Sequence, residues 1–240
     1  MRSQEWPGCR VVDSKARTGI KFCGITRPED AAFAARLGAA YVGVIFAESP
    51  RKVDDNVARA VFETAGASAG HVVVFPRLEA GILARRARQA GADVAQLHYE
   101  PTPEEIASIR KEFDGEIWAV LSVTPGWRSL PERSVELAAV ADAVLIDTRV
   151  GEKTGGTGQR FDWEALADEV VQLRESTRVV LAGGLTPENV AAAVYAMRPS
   201  IVDVSSGVER SPGVKDPERM TAFAEAVSAA SIVGRRNTPP

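Results

Sequence analysis

Eight short apolar runs alternate with helix-like segments along almost the whole chain, and this alternation constrains the fold more than any single motif. The runs fall at residues 20–23, 40–46, 70–75, 93–98, 116–123, 143–147, 179–182 and 201–205. Nearly all are continuous in apolar residues rather than alternating with polar ones, the pattern of strands buried on both faces of a parallel sheet. Helix punctuation fills the gaps. Thr26-Arg-Pro-Glu29 and Thr102-Pro-Glu-Glu105 read as capping boxes, Gly91 as a helix stop and Thr186-Pro-Glu188 as a further helix start. The predicted helices cover 26–37, 54–65, 78–90, 102–113, 131–140, 161–174, 186–197 and 216–230. Eight such units close most naturally into one α/β domain, a single-domain (β/α)8 TIM barrel over residues 20–230. Residues 1–19 read as an N-terminal extension and 231–240 as a C-terminal tail of solvated coil. An open doubly wound sheet is the alternative, but its first turn would carry a glycine fingerprint and here reads Cys23-Gly-Ile-Thr26.

Composition narrows the class of partner. The 240 residues carry a formal net charge of −3, with acidic and basic side chains mixed throughout. Such a chain has no electrostatic footprint for nucleic acid. Its two cysteines, Cys9 and Cys23, form neither a disulfide framework nor a zinc motif, as expected of a reducing cytoplasm. The first nineteen residues lack the apolar core of a signal peptide, and no apolar run approaches the ~20 residues of a spanning helix. The expectation is a cytoplasmic protein with no membrane and no nucleic-acid partner.

In a barrel of this kind the chemistry sits at the C-terminal ends of the strands. Reading those ends in order gives Cys23, then Phe46 followed by Ser49-Pro-Arg51, then Phe75, Gln96-Leu-His98, Ser122, Asp147, Gly183-Gly184 and Asp203-Val-Ser205-Ser206-Gly207. The last two are β-branched strands breaking into Gly and Ser, turns that bring bare backbone N–H groups up to a phosphate. The matching turns of the first half, Phe75-Pro-Arg77 and His98-Tyr-Glu100, are not of this type, so a substrate with a single phosphate is favoured. No metal cluster and no nucleophile elbow appears among the strand ends. By residue type, Cys23 reads first as a small buried hydrophobe, Arg51 as a loop charge and His98 as a satisfied strand-end histidine. Asp147 differs, because a carboxylate closing the run Ala143-Val-Leu-Ile146 is costly unless it is paired, solvated or used. It reads as a functional group or a helix cap. Gly155-Gly-Thr-Gly158 lacks the Lys-Ser/Thr of a P-loop and reads as a lid over the pocket; Trp163 reads as a packing anchor and His71 as a structural residue at the barrel bottom.

Taken together, the motifs resemble one family. Lys21-Phe-Cys-Gly-Ile-Thr26, Asp30, Gly43-Val-Ile-Phe46 with Ser49-Pro-Arg51, Gln96-Leu-His98 and Leu145-Ile-Asp-Thr148 are followed by Gly155-Gly-Thr-Gly158 with Phe161-Asp-Trp163, and by Ala182-Gly-Gly-Leu185 with Pro187-Glu-Asn189. Asp203-Val-Ser-Ser-Gly-Val-Glu209, closing on Pro212-Gly213 and Lys215-Asp216, completes the set. In this order and spacing, over about residues 20–228, they are similar to the phosphoribosylanthranilate isomerases of tryptophan biosynthesis. The resemblance implies an Amadori rearrangement of a small phosphorylated aminoaldose, with no cofactor and no metal, by a monomer or homodimer. It puts the general acid on Asp147 and the general base on Cys23, with Arg51 facing the anthranilate carboxylate. Gln96, His98 and Asp203 become orienting residues, and Gly183, Gly184, Ser205, Ser206 and Gly207 the phosphate site.

Three positions depart from the family pattern: Val74-Phe-Pro76-Arg77, Tyr99 after Gln96-Leu-His98, and Ile117-Trp118-Ala119. The expectation is that all three lie on one arc of the mouth, near the aryl end of the substrate. Two rivals stand beside this reading. The histidine-pathway aminoaldose isomerase would want aspartate at position 23 and a phosphate turn in each half; a non-catalytic ligand-binding barrel would have no use for Cys23, Asp147 and Arg51 together.

Overall fold

The computed structural model describes residues 17–150, 153–154 and 162–236. Expectations for residues 1–16, for the lid at 155–158 and for 237–240 fall outside them. The order of elements is β1 (Gly19–Phe22), α1 (Pro28–Arg36), β2 (Tyr41–Ile45), α2 (Asp55–Ala65), β3 (Gly70–Phe75), α3 (Ala80–Ala90), β4 (Val94–Leu97), α4 (Pro103–Arg110), β5 (Glu116–Val123), α5 (Arg133–Val140) and β6 (Ala143–Val150). The two-residue β7 (Lys153–Thr154) folds back antiparallel on β6. Then follow α6 (Trp163–Ser176), β8 (Arg178–Leu181), α7 (Val190–Met197), β9 (Ile201–Val204), a short antiparallel pair β10 (Glu209–Ser211) and β11 (Val214–Lys215), and α8 (Pro217–Arg236).

Eight of these strands pair in parallel as β5-β4-β3-β2-β1-β9-β8-β6, and β5 pairs with β6 to close the ring. The expected TIM barrel is therefore the fold. Closure leaves successive residues of each strand pointing into the barrel or out to the helices, which produces two cores. Val72, Val94, Trp118, Val120, Ala143, Leu145, Val180, Ala182 and Ile201 fill the interior. Their strand neighbours, among them Val73, Ala95, Ala119, Val144, Leu181 and Val202, join the annular core under the helices. Each helix offers that annulus one apolar stripe: in α2, for example, Ala58, Val61, Phe62 and Ala65 are buried. Each large side chain buried this way contributes about 1.5–3 kcal/mol, so both layers must close together.

The local punctuation holds in part. Thr102 and Glu105 form the expected capping box, and Gly91 ends α3 in a left-handed conformation. Thr26 does not cap: Arg27 precedes α1 with no side-chain cap, and Thr26 Oγ1 instead donates to Gly213 O at 2.5 Å. Arg27 chelates Asp30 through Nε and Nη2, so this N-terminus is tied to α1's own first turn and to the β10–β11 region. Thr186 is likewise not the cap of α7, which starts at Val190; Asn189 Oδ1 accepts from Thr186 N and closes the preceding turn. The last helix continues through Arg236 rather than stopping at residue 230.

Trp118 corrects the expectation for the mouth. It pairs in register with Gln96 and Ala143 near the start of β5, and is wholly buried in the interior core at the N-terminal end of the barrel. Tyr41 packs edge-on to it at 4.8 Å, and its indole N–H donates to Glu116. Arg178 then spans Tyr41 and Glu116. Trp118 is a floor plug, so the three departures do not share an arc.

Candidate active site

Above the floor, the same inward-facing register carries polar residues. One cavity of about 510 Å3 opens at the C-terminal ends of the strands, and it is lined by Cys23, Arg51, Gln96, His98, Asp147, Gly183, Gly184, Asp203, Ser205, Ser206 and Gly207. The residues to which the family resemblance gives catalytic, orienting or phosphate roles thus all line one mouth. Cys23 follows β1, Asp147 lies on β6 and Asp203 on β9, and the ring order β1-β9-β8-β6 sets the thiol and the Asp147 carboxyl three strands apart round the wall.

Buried polar atoms ordinarily find partners. Here Gln96 Oε1, Asp147 Oδ1, Thr148 Oγ1, Asp203 Oδ1 and Ser205 Oγ are buried with no hydrogen-bond partner among the described residues. Four of these residues line the cavity, and Thr148 adjoins Asp147. Orphaned acceptors and hydroxyls gathered round one void are what a polar ligand would satisfy.

The charges are graded across the site. Lys21 Nζ lies 2.7 Å from Asp203 Oδ2, and the lysine is fully buried. Burial, then the negative charge of Asp203, pushes Asp147 up to about 7, so it is half protonated at neutrality. Burial also pushes the Cys23 thiol up, and the positive charge of Lys21 opposes that. Cys23 therefore rests as a thiol. His98 is at the exposed rim, where the protein around its ring, then Lys21, keeps it below the usual histidine value and neutral.

Two glycines make the geometry possible. Gly183 has φ +91°, and a Cβ there would sit 2.6 Å from Thr148 N and 2.9 Å from Asp147 Oδ1. Gly24 has φ +67°, and a Cβ would sit 2.6 Å from Arg51 Cδ and 2.9 Å from Ser205 Oγ. Only glycine lets the Arg51 stem cross the end of β1.

Arg51 is not a free loop cation. Its Nε and Nη2 fork onto Glu209, at 2.9 Å to Oε1 and 2.7 Å to Oε2 respectively. Glu209 also receives Lys215 Nζ at 2.8 Å. Lys21, Glu209 and Lys215 had no role assigned from the sequence. A lysine inside the apolar run Ile20-Lys-Phe22 was the available signal for the first; the other two follow the phosphate turn in sequence, and the pairing of Glu209 with Arg51 spans 158 residues. Pro76, Arg77 and Tyr99 are outside the cavity lining. Arg77 stacks over Tyr99 at 4.3 Å and pairs with Glu105, a clamp on the outer face. Trp163 is buried as a packing anchor, and His71 stacks on Phe62 with both ring nitrogens against backbone carbonyls. Among the described residues, no group of three or more His, Cys, Asp or Glu is arranged to hold a metal ion, and no helix is long and apolar enough to cross a membrane.

Comparison with known proteins is consistent along the barrel. The family model described as N-(5'-phosphoribosyl)anthranilate isomerase matches residues 20–226. The N-(5'-phosphoribosyl)anthranilate isomerase of Nitrosococcus oceani is 39% identical over 216 residues, covering 89% of this chain and 98% of its own length. The crystal structure of the Thermus thermophilus phosphoribosyl anthranilate isomerase superposes with a TM-score of 0.75 at 32% identity, over 88% of this chain and 99% of that one. A phosphoribosyl anthranilate isomerase solved in complex with reduced 1-(o-carboxyphenylamino)-1-deoxyribulose 5-phosphate gives a TM-score of 0.72 at 30% identity, over 88% and 99% of the two chains.

Proposed function

Because the chain belongs to the phosphoribosylanthranilate isomerase family, we propose that its barrel mouth converts N-(5-phosphoribosyl)anthranilate to 1-(2-carboxyphenylamino)-1-deoxyribulose 5-phosphate, with Asp147 as general acid and Cys23 as general base. The observation that carries this reading is an acid and a thiol on separate strands of one cavity, with the acid titrating at about 7.

The sugar phosphate docks against Gly183-Gly184 and the turn Ser205–Gly207. Gly183 and Gly184 both have positive φ, and a 3-10 turn begins at Ser206, so backbone N–H groups are available to an anion. Ser205 Oγ, buried and without a partner among the described residues, adds a hydroxyl. With the phosphate fixed there, the reacting C1–C2 unit lies between Asp147 and Cys23, and the aryl ring extends towards Arg51.

Asp147 gives its proton to the furanose ring oxygen. The C1–O bond breaks, the nitrogen lone pair forms the C1=N bond, and a cationic iminium results. That cation beside Cys23, together with Lys21, favours loss of the thiol proton to solvent and so the thiolate that burial disfavours. The thiolate removes the C2 proton, the C2–H electron pair forms C1=C2 as the C1=N π pair returns to nitrogen, and the resulting neutral enolamine tautomerises to the ketone. Gln96, Asp203 and His98 orient the sugar and its open-chain forms. Neutral His98 adds no second positive charge to the iminium's surroundings.

The test is to follow loss of N-(5-phosphoribosyl)anthranilate with the protein as it stands, beside Cys23→Ser and Asp147→Asn. Each substitution should lower kcat by about 10²–10⁴-fold, the range for loss of a positioned acid or base, while substrate binding persists. Near wild-type turnover by either variant would remove its residue from the mechanism.

A further inference from the structure

The side chains of Glu209 and Lys215 are buried, charged and unused by the acid–base steps above. They face each other across the β10–β11 ladder, where Glu209 is the register partner of Lys215. Lys215 is wholly buried; its Nζ donates to Glu209 at 2.8 Å and to Ser205 O at 3.1 Å. Its backbone N–H bonds Asp30, so the ladder is anchored to α1 as well. Glu209 in turn holds Arg51 by the Nε–Nη2 edge. A guanidinium has a second forked edge, between Nη1 and Nη2. Nη1 donates no hydrogen bond among the described residues, and Arg51 lines the cavity.

Two consequences follow. Fixing Arg51 by one edge leaves the other edge in a single orientation, preorganised for a planar carboxylate. Charge also matters. Arg51 and Glu209 alone sum to zero and would attract an incoming carboxylate weakly, whereas Lys215 makes the trio net positive. Lys215 also links this grip to the phosphate turn through Ser205 O.

We propose that the Glu209–Lys215 pair is a positioning unit that sets Arg51 to read the aryl carboxylate of the substrate; this rests on the assignment of Arg51 made above. Neither residue touches the reacting carbons. Their influence is confined to the carboxylate.

The test compares two substrates, N-(5-phosphoribosyl)anthranilate and N-(5-phosphoribosyl)aniline, which lacks the carboxylate. Glu209→Gln should raise KM for the anthranilate conjugate roughly 10-fold, the scale of one charge-assisted contact. It should leave kcat and the aniline KM little changed. Because a buried lysine left without its partner could impair folding, the double variant Glu209→Gln/Lys215→Met serves as a second probe. It removes both charges, keeps the local sum at +1, and should show the same selective loss with a normal melting transition. Arg51→Ala sets the reference. If it leaves the preference for the carboxylated substrate intact, the assignment of Arg51 is wrong and the inference falls with it. If it abolishes the preference while the Glu209 variants weaken both substrates equally, Arg51 stands and the positioning unit is overturned.

Discussion

Lys21 Nζ sits 2.7 Å from Asp203 Oδ2 inside the barrel, in a position that no solvent reaches. The pair is made by neighbouring parallel strands, since Lys21 and Asp203 are register partners between β1 and β9. Gly43 on β2 leaves the room: a Cβ there would come within 3.1 Å of Lys21 Cε and 3.4 Å of Cys23 Sγ. Removing one member of a buried pair leaves the other charged without compensation, so Lys21→Met should cost roughly 3 kcal/mol of stability at neutral pH. It should also raise the Cys23 thiol further, because Lys21 opposes the upward pull of burial and Asp203 adds to it. Alkylation of Cys23 with iodoacetamide, followed on its own peptide, should be slower at pH 8 in Lys21→Met than in the parent. An unchanged rate would show that Lys21 does not govern the thiol.

With Asp147 as the proposed acid and Cys23 as the proposed base, their pKa directions predict the pH–rate profile. In the proposed mechanism the reacting form has Asp147 protonated and Cys23 ionised, yet Asp147 titrates at about 7 and Cys23 above its usual value. Below pH 7 the thiolate fraction rises tenfold per unit while Asp147 stays protonated, so kcat/KM rises. Between the two pKa values the gain in thiolate cancels the loss of acid, and the profile is flat. Above the Cys23 value only the loss of acid remains, and activity falls. The measurement is kcat/KM for phosphoribosylanthranilate from pH 5 to 10. A decline setting in at pH 7 would contradict the protonation states assigned here.

Asp147 also weighs on stability. Its folded pKa, about 7, is above its ordinary 3.8, so the folded state binds the proton more tightly than the unfolded state does. Stability from this group is present below pH 4 and is lost as pH rises through 7. Asp147→Asn should match the parent near pH 4 and exceed it at pH 8, by an amount on the order of 2–4 kcal/mol. Thermal melts of both proteins at the two pH values decide it; equal melting temperatures at pH 8 would mean the carboxyl carries no such strain.

Much of this was legible in the residues. Apolar runs interrupted by caps and glycines spelled the barrel, because each strand must be apolar on both faces and each helix must stop. The strand ends then named the cavity, since closure of the ring brings Cys23, Asp147 and Asp203 together whatever the loop details. Partnerships across long sequence separations were not legible. Arg51 looked like a loop charge because nothing local announces Glu209, and Thr26 looked like a cap because its actual partner, Gly213 O, is 187 residues away. The expectation for Trp118 fails for another reason. A strand shows which residues share a face, but where along that face the cavity begins depends on the barrel's stagger, which only the register supplies.

With the register known, Trp118 makes a sharp prediction. It is wholly buried beneath the cavity, with Tyr41 edge-on and Glu116 accepting its N–H, while the cavity lining begins higher, at Gln96, Leu145 and Ala182. Trp118→Ala would open a large void in the interior core, and such truncations cost about 3–5 kcal/mol. Trp118→Phe would keep most of the volume and lose one hydrogen bond, at about 1–2 kcal/mol. Neither change touches the ring of the substrate. Relative kcat/KM for anthranilate and ring-substituted anthranilate conjugates should therefore be unchanged in Trp118→Phe, even as its denaturation midpoint falls. A shift in that ratio with no loss of stability would return Trp118 to the aryl side of the mouth.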